Sequence, residues 1–551
     1  MGSETNLESI RTLEEQIEKG KGDIINLKRT RNSLLNISTR VPPEILGYIF
    51  AWIVAREQDD SLFSIAHFAR LEKGTYDFLL VCRHWFEVAS RTPEVWTFWG
   101  RTLGDWRKRC HRVGGAPVDL VLDGFARCSI PFDSSLRDAL SDHAARDGIR
   151  QIHLAGHDSD LFGAIISSLI PSGTSPQEKR IESIDLQTHT IPEQLSHFFT
   201  RSRLPNLRYL HISGCLQTPP NPHTAEHQAQ VLFWDQLALL RTTRLATLSL
   251  HIERAPLPIP ASQLIPVLTS NPNLRALRLM HSGLPNSIGW PSIRVSLRQL
   301  NTMTLGGEFD RVFALLTRLE LPAVLDYVVL QISHFTAQDV LHTLGPYLRD
   351  HFQRDVRFQG ELAVVVSYSR FSDGFGYSTH GCIDLTSSPN GMSPSAIFST
   401  TLIHPLPSDP ASDNLTFDLA AFIPSENVTS LEVVDSIRVP EDLLVAMRNI
   451  ETLRLCNPML SSRFLQPDPK GPHANTKLLP SLRFLHLENV TASDATWEPL
   501  VTYLVHQTSK GQIISLQVSS FLSISRGVME EIRDLVDTFV YNEHPVPRAA
   551  I

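Results

Sequence analysis

The sequence predicts an α/β protein in which short helices near the N-terminus precede a long array of parallel strands and helices. Two patterns predict this division. Apolar residues recur at helical spacing before residue 100, and an L-x-x-L-x-L pattern typical of short strands recurs after Gly148. The chain of 551 residues is too long for one compact core, so two or three domains or an extended repeat array are expected.

The composition excludes several classes of protein. The formal charge of -8 is spread along the chain, whereas a nucleic-acid-binding protein needs a basic stripe or net positive charge. Met1 to Ser9 is polar and does not resemble a signal peptide, and no apolar run reaches the roughly 18 residues that span a bilayer. We therefore expect no nucleic-acid partner, no membrane partner, and a location in the cytoplasm, the nucleus or both.

The sequence contains none of the common metal or catalytic motifs. Its six cysteines are far apart and form no C-x-x-C pair, so structural zinc and a disulfide framework are not expected. The H-E-x-x-H, G-x-S-x-G, P-loop and G-x-G-x-x-G motifs are absent. The sequence therefore predicts a non-catalytic protein with no cofactor and no metal site.

Residues 1–39 are predicted to form a helical leader. Charged residues at heptad positions, together with Gly20 and Gly22, interrupt the apolar pattern. The pattern favours a frayed, solvated helix, and a weak coiled coil is the alternative. The apolar residues of this segment are Leu7, Ile10, Leu13, Ile17, Ile24, Leu27 and Leu34.

Residues 40–100 carry the signals of a small all-α domain. The run Pro42–Glu44 marks a helix start, because proline is tolerated in the first turn and an acid suits the positive end of the helix dipole. A second, largely apolar helix is predicted over Tyr76–Ala89, and a third begins near Thr92. A small domain cannot bury this much apolar surface by itself, so we expect a partner surface. The apolar face of the first helix is predicted to comprise Ile45, Leu46, Ile49, Phe50 and Ile53.

This segment resembles the F-box of the expanded F-box-like families of mushroom-forming (basidiomycete) fungi. The resemblance rests on Val-Pro-Pro-Glu-Ile-Leu (41–46), Leu-Val-Cys-Arg-x-Trp (80–85) and Pro-x-x-Trp (93–96), in this order. Trp106 to Leu122 also fits the post-F-box signature W-x-x-R…G-x-x-P-[LV]-x-L-x-L of that group. The sequence departs from the pattern at Val41, where leucine is usual, and in the long insert Arg56–Thr75.

The resemblance implies that the F-box docks on the Skp-type adaptor of a Skp–cullin–F-box ubiquitin ligase. The chain would then be the substrate-recognition subunit of the ligase. A small helical core, in which the same residues bury one another, is the alternative interpretation. The residues that the motif match assigns to adaptor binding are Pro42, Pro43, Ile45, Leu46, Ile49, Leu80, Val81, Cys82, Trp85 and Trp96.

Residues 148–540 are predicted to form an irregular leucine-rich-repeat solenoid. The segments Pro-Asn-Leu-Arg-Tyr-Leu (205–210), Pro-Asn-Leu-Arg-Ala-Leu (272–277) and Pro-Ser-Leu-Arg-Phe-Leu (480–485) are near copies. In leucine-rich repeats each unit contributes one short strand, and units stack because none can bury its apolar face alone. Residues 101–147 are expected to form a linker and the first strand or cap.

The region 335–425 does not follow the repeat pattern. Leu362–Tyr368 and Tyr377–Leu385 are rich in β-forming residues and flank a turn-like segment, which favours a hairpin or a degenerate repeat. The Pro/Ser-rich stretch 387–413 is predicted to be a loop.

In each repeat, the residue between the last two apolar positions should point away from the core onto a solvated strand face. All of these residues except Val328 are polar, and its repeat (Val324, Tyr327, Val329) has the weakest pattern. They are His153, Asp185, His211, Ser249, Arg278, Thr304, Val328, Glu432, Arg454, His486 and Gln517. We expect this face to bind a protein substrate, although a spacer function is the alternative. The candidate substrate-binding residues are His211, Arg278, Arg454 and His486.

Two functions therefore remain open from the sequence. The chain is either the substrate receptor of a ubiquitin ligase or a leucine-rich-repeat scaffold outside any ligase, in which the F-box has lost its docking function.

Overall fold

The computed structural model describes most of the chain as a series of segments. They form two compact units, Met1–Thr174 with Lys179–Leu186 and Ser175–Glu178 with Gln187–Ile551. The described residues are 2–35, 41–59, 77–99, 116–123, 140, 147–156, 159–170, 177–192, 194–215, 244–253, 258–281, 283–285, 293–322, 324–336, 339–354, 362–372, 377–387, 395–404, 423–434, 441–456, 459–460, 465, 479–492, 497–512, 514–519, 525–541 and 544–545.

The first unit begins with helices. The leader forms one helix that continues through Gly20 and Gly22. Each glycine costs only about 1 kcal/mol relative to alanine and leaves the backbone hydrogen bonds intact, which lowers the stability of a helix without breaking it. The α-helices of this unit are Gly2–Leu35, Pro43–Asp59, Arg83–Arg91 and Ser159–Leu169, with 3-10 turns at Asp77–Leu80 and Pro93–Trp96.

The N-terminal helical segment, residues 41–59 and 77–97, has a small apolar core. The single helix predicted over Tyr76–Ala89 is wrong, because extended Cys82 separates the 3-10 turn Asp77–Leu80 from the helix Arg83–Arg91. That helix ends at Thr92, which is extended because the residue before a proline avoids the helical region. The Trp96 indole N–H donates to the Ala89 carbonyl oxygen at 2.8 Å. The Phe50 and Trp85 rings lie 5.1 Å apart. The buried residues are Leu46, Phe50, Val88, Ala89, Val95 and Trp96.

Three parallel strands follow in the first unit: β1 (Phe98–Trp99), β2 (Val118–Asp123) and β3 (Ile149–Gly156). Leu120 pairs with Ile152 and Leu122 with Leu154, so apolar side chains stack from strand to strand. The G-x-x-P-V-x-L-x-L part of the post-F-box signature runs into β2. Its W-x-x-R part and most of the insert Arg56–Thr75 lie outside the described residues.

The second unit consists mainly of strands, with β5 starting in the first unit. The strands are β4 (Gln177–Glu178), β5 (Ser183–Thr190), β6 (Ser202–Arg203), β7 (Tyr209–Cys215), β8 (Thr247–Glu253), β9 (Ala276–His281), β10 (Val295–Ser296), β11 (Thr302–Glu308), β12 (Leu319–Glu320), β13 (Tyr327–Ser333), β14 (Leu362–Ser372), β15 (Tyr377–Ser387), β16 (Ser395–His404), β17 (Val428–Val434), β18 (Thr452–Cys456), β19 (Met459–Leu460), β20 (Phe484–Glu488), β21 (Thr491–Ala492), β22 (Ser515–Ser519), β23 (Phe539–Tyr541) and β24 (His544–Pro545).

Helices lie between the strands of the second unit and contribute buried apolar residues to its core. None of the helices in the described segments has both the length and the apolar character needed to cross a membrane. The α-helices are Gln194–Arg201, Ala261–Ser270, Phe309–Leu316, Gly345–Arg354, Glu441–Ala446, Glu498–Ser509 and Arg526–Leu535, with a π-helical turn at Val340–Leu344 and a 3-10 turn at Ser425–Asn427.

The strand pairings confirm the predicted array of parallel repeats. One parallel set runs β7–β8–β9–β11–β13, and a second runs β17–β18–β20–β22–β23. The apolar residues of the L-x-x-L-x-L pattern are buried in each strand of these sets except at β13, as the three near copies show with Leu207, Leu274 and Leu482. Ile513 of the last repeat lies outside the described residues.

The predicted alignment of one repeat is wrong by one residue. The sequence assigns Val324, Tyr327 and Val329 to the core, but the structure buries Leu325, Val328, Leu330 and Ile332 and exposes Val324. Val328 pairs with Met303 and Val329 with Thr304, so Val329 takes the outward position. Because strand side chains alternate, a shift of one residue exchanges every inward and outward side chain. Tyr327, Val328 and Val329 are all β-formers, which leaves the sequence pattern ambiguous here.

The irregular region inserts three strands between the two parallel sets. β14 and β15 form an antiparallel hairpin, so of the hairpin and the degenerate repeat predicted for this region the hairpin is confirmed. β15 also pairs antiparallel with β16. β16 pairs parallel with β13 and β14 pairs parallel with β17. The predicted loop 387–413 is therefore wrong where it covers β16. The run Ile397–Ile403 contains several β-formers and finds strand partners on both sides.

The stacked repeats predict that two adjacent residues of β9 differ sharply in their contribution to the free energy of unfolding. Replacing buried Leu277 with alanine should lower the free energy of unfolding by roughly 2–5 kcal/mol, because it removes transfer energy and leaves a cavity. The neighbouring variant Arg278→Ala, at an exposed position, should change it by less than about 0.5 kcal/mol. Urea denaturation monitored by circular dichroism measures both. Equal effects of the two changes would contradict this assignment of faces.

Candidate functional site

A row of side chains crosses the outward face of the second unit, and we call it the polar row. Strand register places His211, Ser249, Arg278 and Thr304 opposite one another on β7, β8, β9 and β11. The same register aligns Glu432, Arg454, His486 and Gln517 on β17, β18, β20 and β22. The four predicted substrate-binding residues therefore divide into two pairs, His211 with Arg278 and Arg454 with His486.

Arg454 is the centre of the first group of charges, the Arg454 cluster (Glu432, Arg454, Cys456, His486 and Glu488). Its guanidinium Nη2 lies 2.5 Å from Glu488 Oε2, and its Nη1 lies 3.3 Å from Glu432 Oε2. The Cys456 Sγ lies 3.6 Å from Glu488 Oε2 and 3.7 Å from Glu432 Oε1. Strand register brings these groups together. Glu432 and Arg454 are cross-strand neighbours, and Glu488 lies opposite Cys456.

Hydrogen bonding and burial shift the pKa values of four groups in this cluster, Arg454, Glu488, Cys456 and His486. The hydrogen bond with Glu488 raises the pKa of Arg454, and the same bond lowers the pKa of Glu488. Burial raises the pKa of the Cys456 thiol to about 12, so this cysteine is a poor nucleophile. Burial lowers the pKa of His486, with Arg454 adding to the effect. Two carboxylates, one guanidinium and a neutral imidazole give a hydrogen-bonding surface with net negative charge.

A second group, the His251 cluster (His211, His251, Glu253, Arg278 and His281), lies on β7, β8 and β9. The His251 Nε2 is 3.6 Å from Glu253 Oε1, and the His251 and His281 rings stack with centroids 5.4 Å apart. The His211 Nδ1 lies 2.6 Å from Ser249 Oγ. Ser249 is only 4% exposed, so the expected solvated position is wrong for this residue, whose hydroxyl lies against the neighbouring imidazole.

Sequence reasoning predicted only His211 and Arg278 of the His251 cluster. His251 and Glu253 continue the alternation that starts at Ser249, so a period of two along β8 could have indicated them. His281 breaks the alternation of β9, because its φ of 53° is in the left-handed region. Its position next to His251 could be learned only from the structure.

Within the part of the chain that the structure describes, His251, Glu253 and His281 are the group that could hold a metal ion, with ligand atoms within 4.8 Å of one another. Ligand atoms about 2.0–2.1 Å from a tetrahedral zinc ion are only about 3.3 Å apart. These side chains would have to rotate toward one another before they could share an ion. No sequence motif pointed to these three residues as a metal-binding group.

The outward residues of the first unit behave differently from the prediction. His153 and Asp185 are 6% and 7% exposed, so the expected solvated positions are wrong for this pair. Their side chains cover each other, with His153 Nδ1 at 2.8 Å from Asp185 Oδ2. Arg150 and Asp119 form a two-contact ion pair in the same unit, at 2.6 and 3.0 Å. A carboxylate and a basic side chain can thus cover each other on an outward face.

The N-terminal helical segment exposes a set of large apolar side chains, which we call the exposed apolar set. Along the helix Pro43–Asp59, Ile45, Tyr48, Ile49 and Trp52 follow i, i+3, i+4 and i+7 spacing and form one stripe. Leu46 and Phe50 lie on the opposite, buried stripe. The exposed apolar set is Ile45, Tyr48, Ile49, Trp52, Leu80, Val81 and Phe86, with exposed fractions between 41% and 84%.

The structure divides the ten predicted adaptor-binding residues into three groups by burial. Leu46 and Trp96 belong to the core of the segment, because burial and the Trp96 hydrogen bond fix them there. Cys82 and Trp85 are half-buried. The exposed ones are Pro42, Pro43, Ile45, Ile49, Leu80 and Val81. Tyr48, Trp52 and Phe86 are exposed apolar residues that the motif match did not include.

No protein-family model and no curated protein matches this sequence. Among solved structures, the crystal structure of an internalin from Listeria monocytogenes at 1.91 Å resolution is similar to this chain. The similarity covers 78% of this chain and 88% of that chain, with 12% sequence identity and a TM-score of 0.28. A likeness at this TM-score carries no argument about function.

The His251 cluster predicts a loss of stability in mild acid. Burial, with the neighbouring His281, lowers the pKa of His251 from 6.5 to about 4. Between these values the unfolded chain takes up a proton that the folded chain does not, so stability should fall as pH decreases from about 6.5 toward 4. In His251→Gln the fall should be shallower, as measured by thermal unfolding at a series of pH values. The exposed control His506→Gln should keep the wild-type profile, and an unchanged His251→Gln profile would contradict the prediction.

Proposed function

We propose that this chain is the substrate-recognition subunit of a Skp–cullin–F-box ubiquitin ligase. In this proposal the N-terminal helical segment is an F-box that docks the Skp-type adaptor, and the leucine-rich repeats bind a protein substrate. The single observation that supports it best is the exposed apolar set, which lies within the motif that resembles an F-box.

The apolar stripe on the helix Pro43–Asp59 is costly in water. Fully burying one large apolar side chain is worth about 1.5–3 kcal/mol, so covering several of them supplies a large driving force for association. The same helix already buries Leu46 and Phe50 within its own segment. Its second stripe is therefore not needed for the small core and is available to a partner. Contiguous exposed apolar surface of this kind commonly marks an interaction site.

The proposed role requires no bond-making group in this chain. A substrate held on the repeats would be kept near the ligase core, and the gain would come from effective concentration. Buried, high-pKa Cys456 and the paired charges around Arg454 suit a recognition surface better than a catalytic one. The chain would thus be a non-enzymatic receptor, with a cullin-ligase adaptor and a protein substrate as its partners.

The polar row supports a recognition role for the repeats. Arg278 is exposed on β9, whereas Arg454 is compensated by Glu432 and Glu488. A substrate would therefore meet a cationic site near Arg278 and a net negative site near Arg454. Such a division of charge can select partners and orient them.

The adaptor proposal predicts the effect of a pair of charge substitutions. Ile45→Asp combined with Leu80→Asp should weaken binding to a purified Skp-type adaptor by roughly 100-fold or more, because two apolar contacts are lost and two charges become desolvated. Both side chains are exposed, so the fold should be kept. Isothermal titration calorimetry with the full chain measures the affinity. Leu46→Ala would be a poor test because Leu46 is in the core.

The matched control is Ile293→Asp combined with Val505→Asp, which changes two exposed apolar residues of the second unit. This variant should bind the adaptor like the wild type. If the wild-type chain does not bind the adaptor, the proposal fails and the scaffold function stands in its place. If the Ile45/Leu80 variant binds as well as the control, the exposed apolar set is not the docking surface.

If the repeats bind the substrate through the polar row, reversing the charge at Arg278 should reduce substrate capture. Proximity labelling in cells with Arg278→Glu should lose a group of labelled proteins that the wild type captures, while the adaptor remains labelled. The control is Arg526→Glu, an exposed arginine on the helix Arg526–Leu535 away from the polar row. Loss of the same proteins in both variants, or in neither, would argue against substrate binding at Arg278.

A further inference from the structure

The long N-terminal helix exposes a second apolar surface, separate from the exposed apolar set. It runs unbroken over Gly2–Leu35. Large apolar side chains along it are 53–70% exposed at Ile10, Leu13, Ile17, Ile24 and Leu27. A single exposed helix gains little stability from propensity alone, and most helices in proteins are held by packing of an apolar face. The exposed stripe therefore favours a partner that covers it.

The stripe alternates spacings of three and four residues, except at Gly20. Ile10, Ile17 and Ile24 recur every seven residues and take the a position of a heptad, while Leu13 and Leu27 take the d position. Gly20 stands at the remaining d position of this stretch, and Arg31 stands at the next a position. With one exception the b, c and f positions between Ile10 and Leu27 are polar or glycine, and the exception is Ile25. The apolar seam is thus narrow, as in a coiled coil rather than a helix packed on a domain.

We propose that this helix pairs with the same helix of a second copy as a parallel, in-register, two-stranded coiled coil. The residue types select this occupant, because β-branched residues at a combined with leucine at d favour parallel dimers. The seam places isoleucine against isoleucine and leucine against leucine when two identical helices run in the same direction.

The flanking charges also fit a second copy. In a parallel pair, a g residue faces the e residue five positions further along the partner helix. Asp23 at g then faces Lys28 at e of the other copy, which is an attractive pair, and it does so twice because of the two-fold symmetry. The other such pairs in the seam, Ser9 with Glu14 and Gln16 with Lys21, bring no like charges together.

Pairing at this helix would join two recognition arrays. It goes beyond the proposed function and does not depend on it, because the seam shares no residue with the exposed apolar set. Two linked receptors can hold a multivalent or dimeric substrate more tightly than one, through effective concentration. Arg31 in the seam would lower the stability of the pair while helping to fix its register.

The test uses two neighbouring isoleucines with nearly equal exposure. Ile24 lies in the seam and is 54% exposed, whereas Ile25 lies outside it and is 50% exposed. In sedimentation equilibrium, the full chain of 61.8 kDa should show reversible dimers. Ile24→Lys should weaken dimerisation roughly 100-fold or more, since each dimer loses two buried isoleucines, and Ile25→Lys should leave it unchanged. Circular dichroism should show no loss of helix in Ile25→Lys, and in Ile24→Lys a loss no larger than the 34 residues of this helix, because an unpaired helix is only marginally stable.

A charge exchange tests the parallel arrangement. Asp23→Lys should weaken the dimer, and adding Lys28→Asp should restore it, because the two charges face each other only between parallel copies. A wild-type chain that remains monomeric, or an Ile24→Lys variant that dimerises like Ile25→Lys, would overturn the inference. Weakening by Asp23→Lys without restoration by the double change would overturn the parallel register.

Discussion

The structure depends on one constraint, that no single repeat can bury its own apolar strand. Each L-x-x-L-x-L unit offers three apolar side chains that its own short strand cannot cover. Neighbouring units in parallel register, together with the helices between the strands, cover them. Leu248 pairs with Leu277, and Leu250 pairs with Leu279, so the apolar positions of neighbouring repeats stack. The same register lines up the residues between them, which produces the polar row. The core and the polar row are thus two faces of one arrangement.

The inserted strands show how strong this constraint is. Where the repeat pattern fails, β14, β15 and β16 fill the gap between β13 and β17 by strand pairing alone. The reversal at β15 allows both outer strands of the insert to pair in parallel with the repeats. By register, the backbone ladder that starts at β7 continues across the insert to β23. The His251 and Arg454 clusters consequently occupy opposite sides of the insert in strand order.

In contrast to the repeats, which bury their apolar residues, the N-terminal helices leave many apolar side chains exposed. The helix Pro43–Asp59 has one apolar stripe that closes a small core and another that is left exposed. The helix Gly2–Leu35 has a single seam, and it is exposed along its length. The two surfaces differ in geometry. The broad patch suits the folded adaptor that we propose for it, and the narrow heptad seam suits the second helix that we propose for it.

The sequence by itself determined which residues enter the core of the repeats, because apolar residues at i, i+3 and i+5 leave little choice of face. Where three β-formers adjoin, as at Tyr327–Val329, the period of two is ambiguous, and only pairing with β11 decided the register. The sequence also located the start of the first helix of residues 40–100, but only the structure showed that Cys82 divides the second predicted helix. The tertiary structure also decided which apolar residues hold the core, as Leu46 and Trp96 do. It likewise brought His281 beside His251 through a left-handed backbone turn, and it buried His153 against Asp185. The physical reason is the same throughout: local pattern specifies the direction of a side chain along its own strand or helix, while its neighbours across strands specify what covers it.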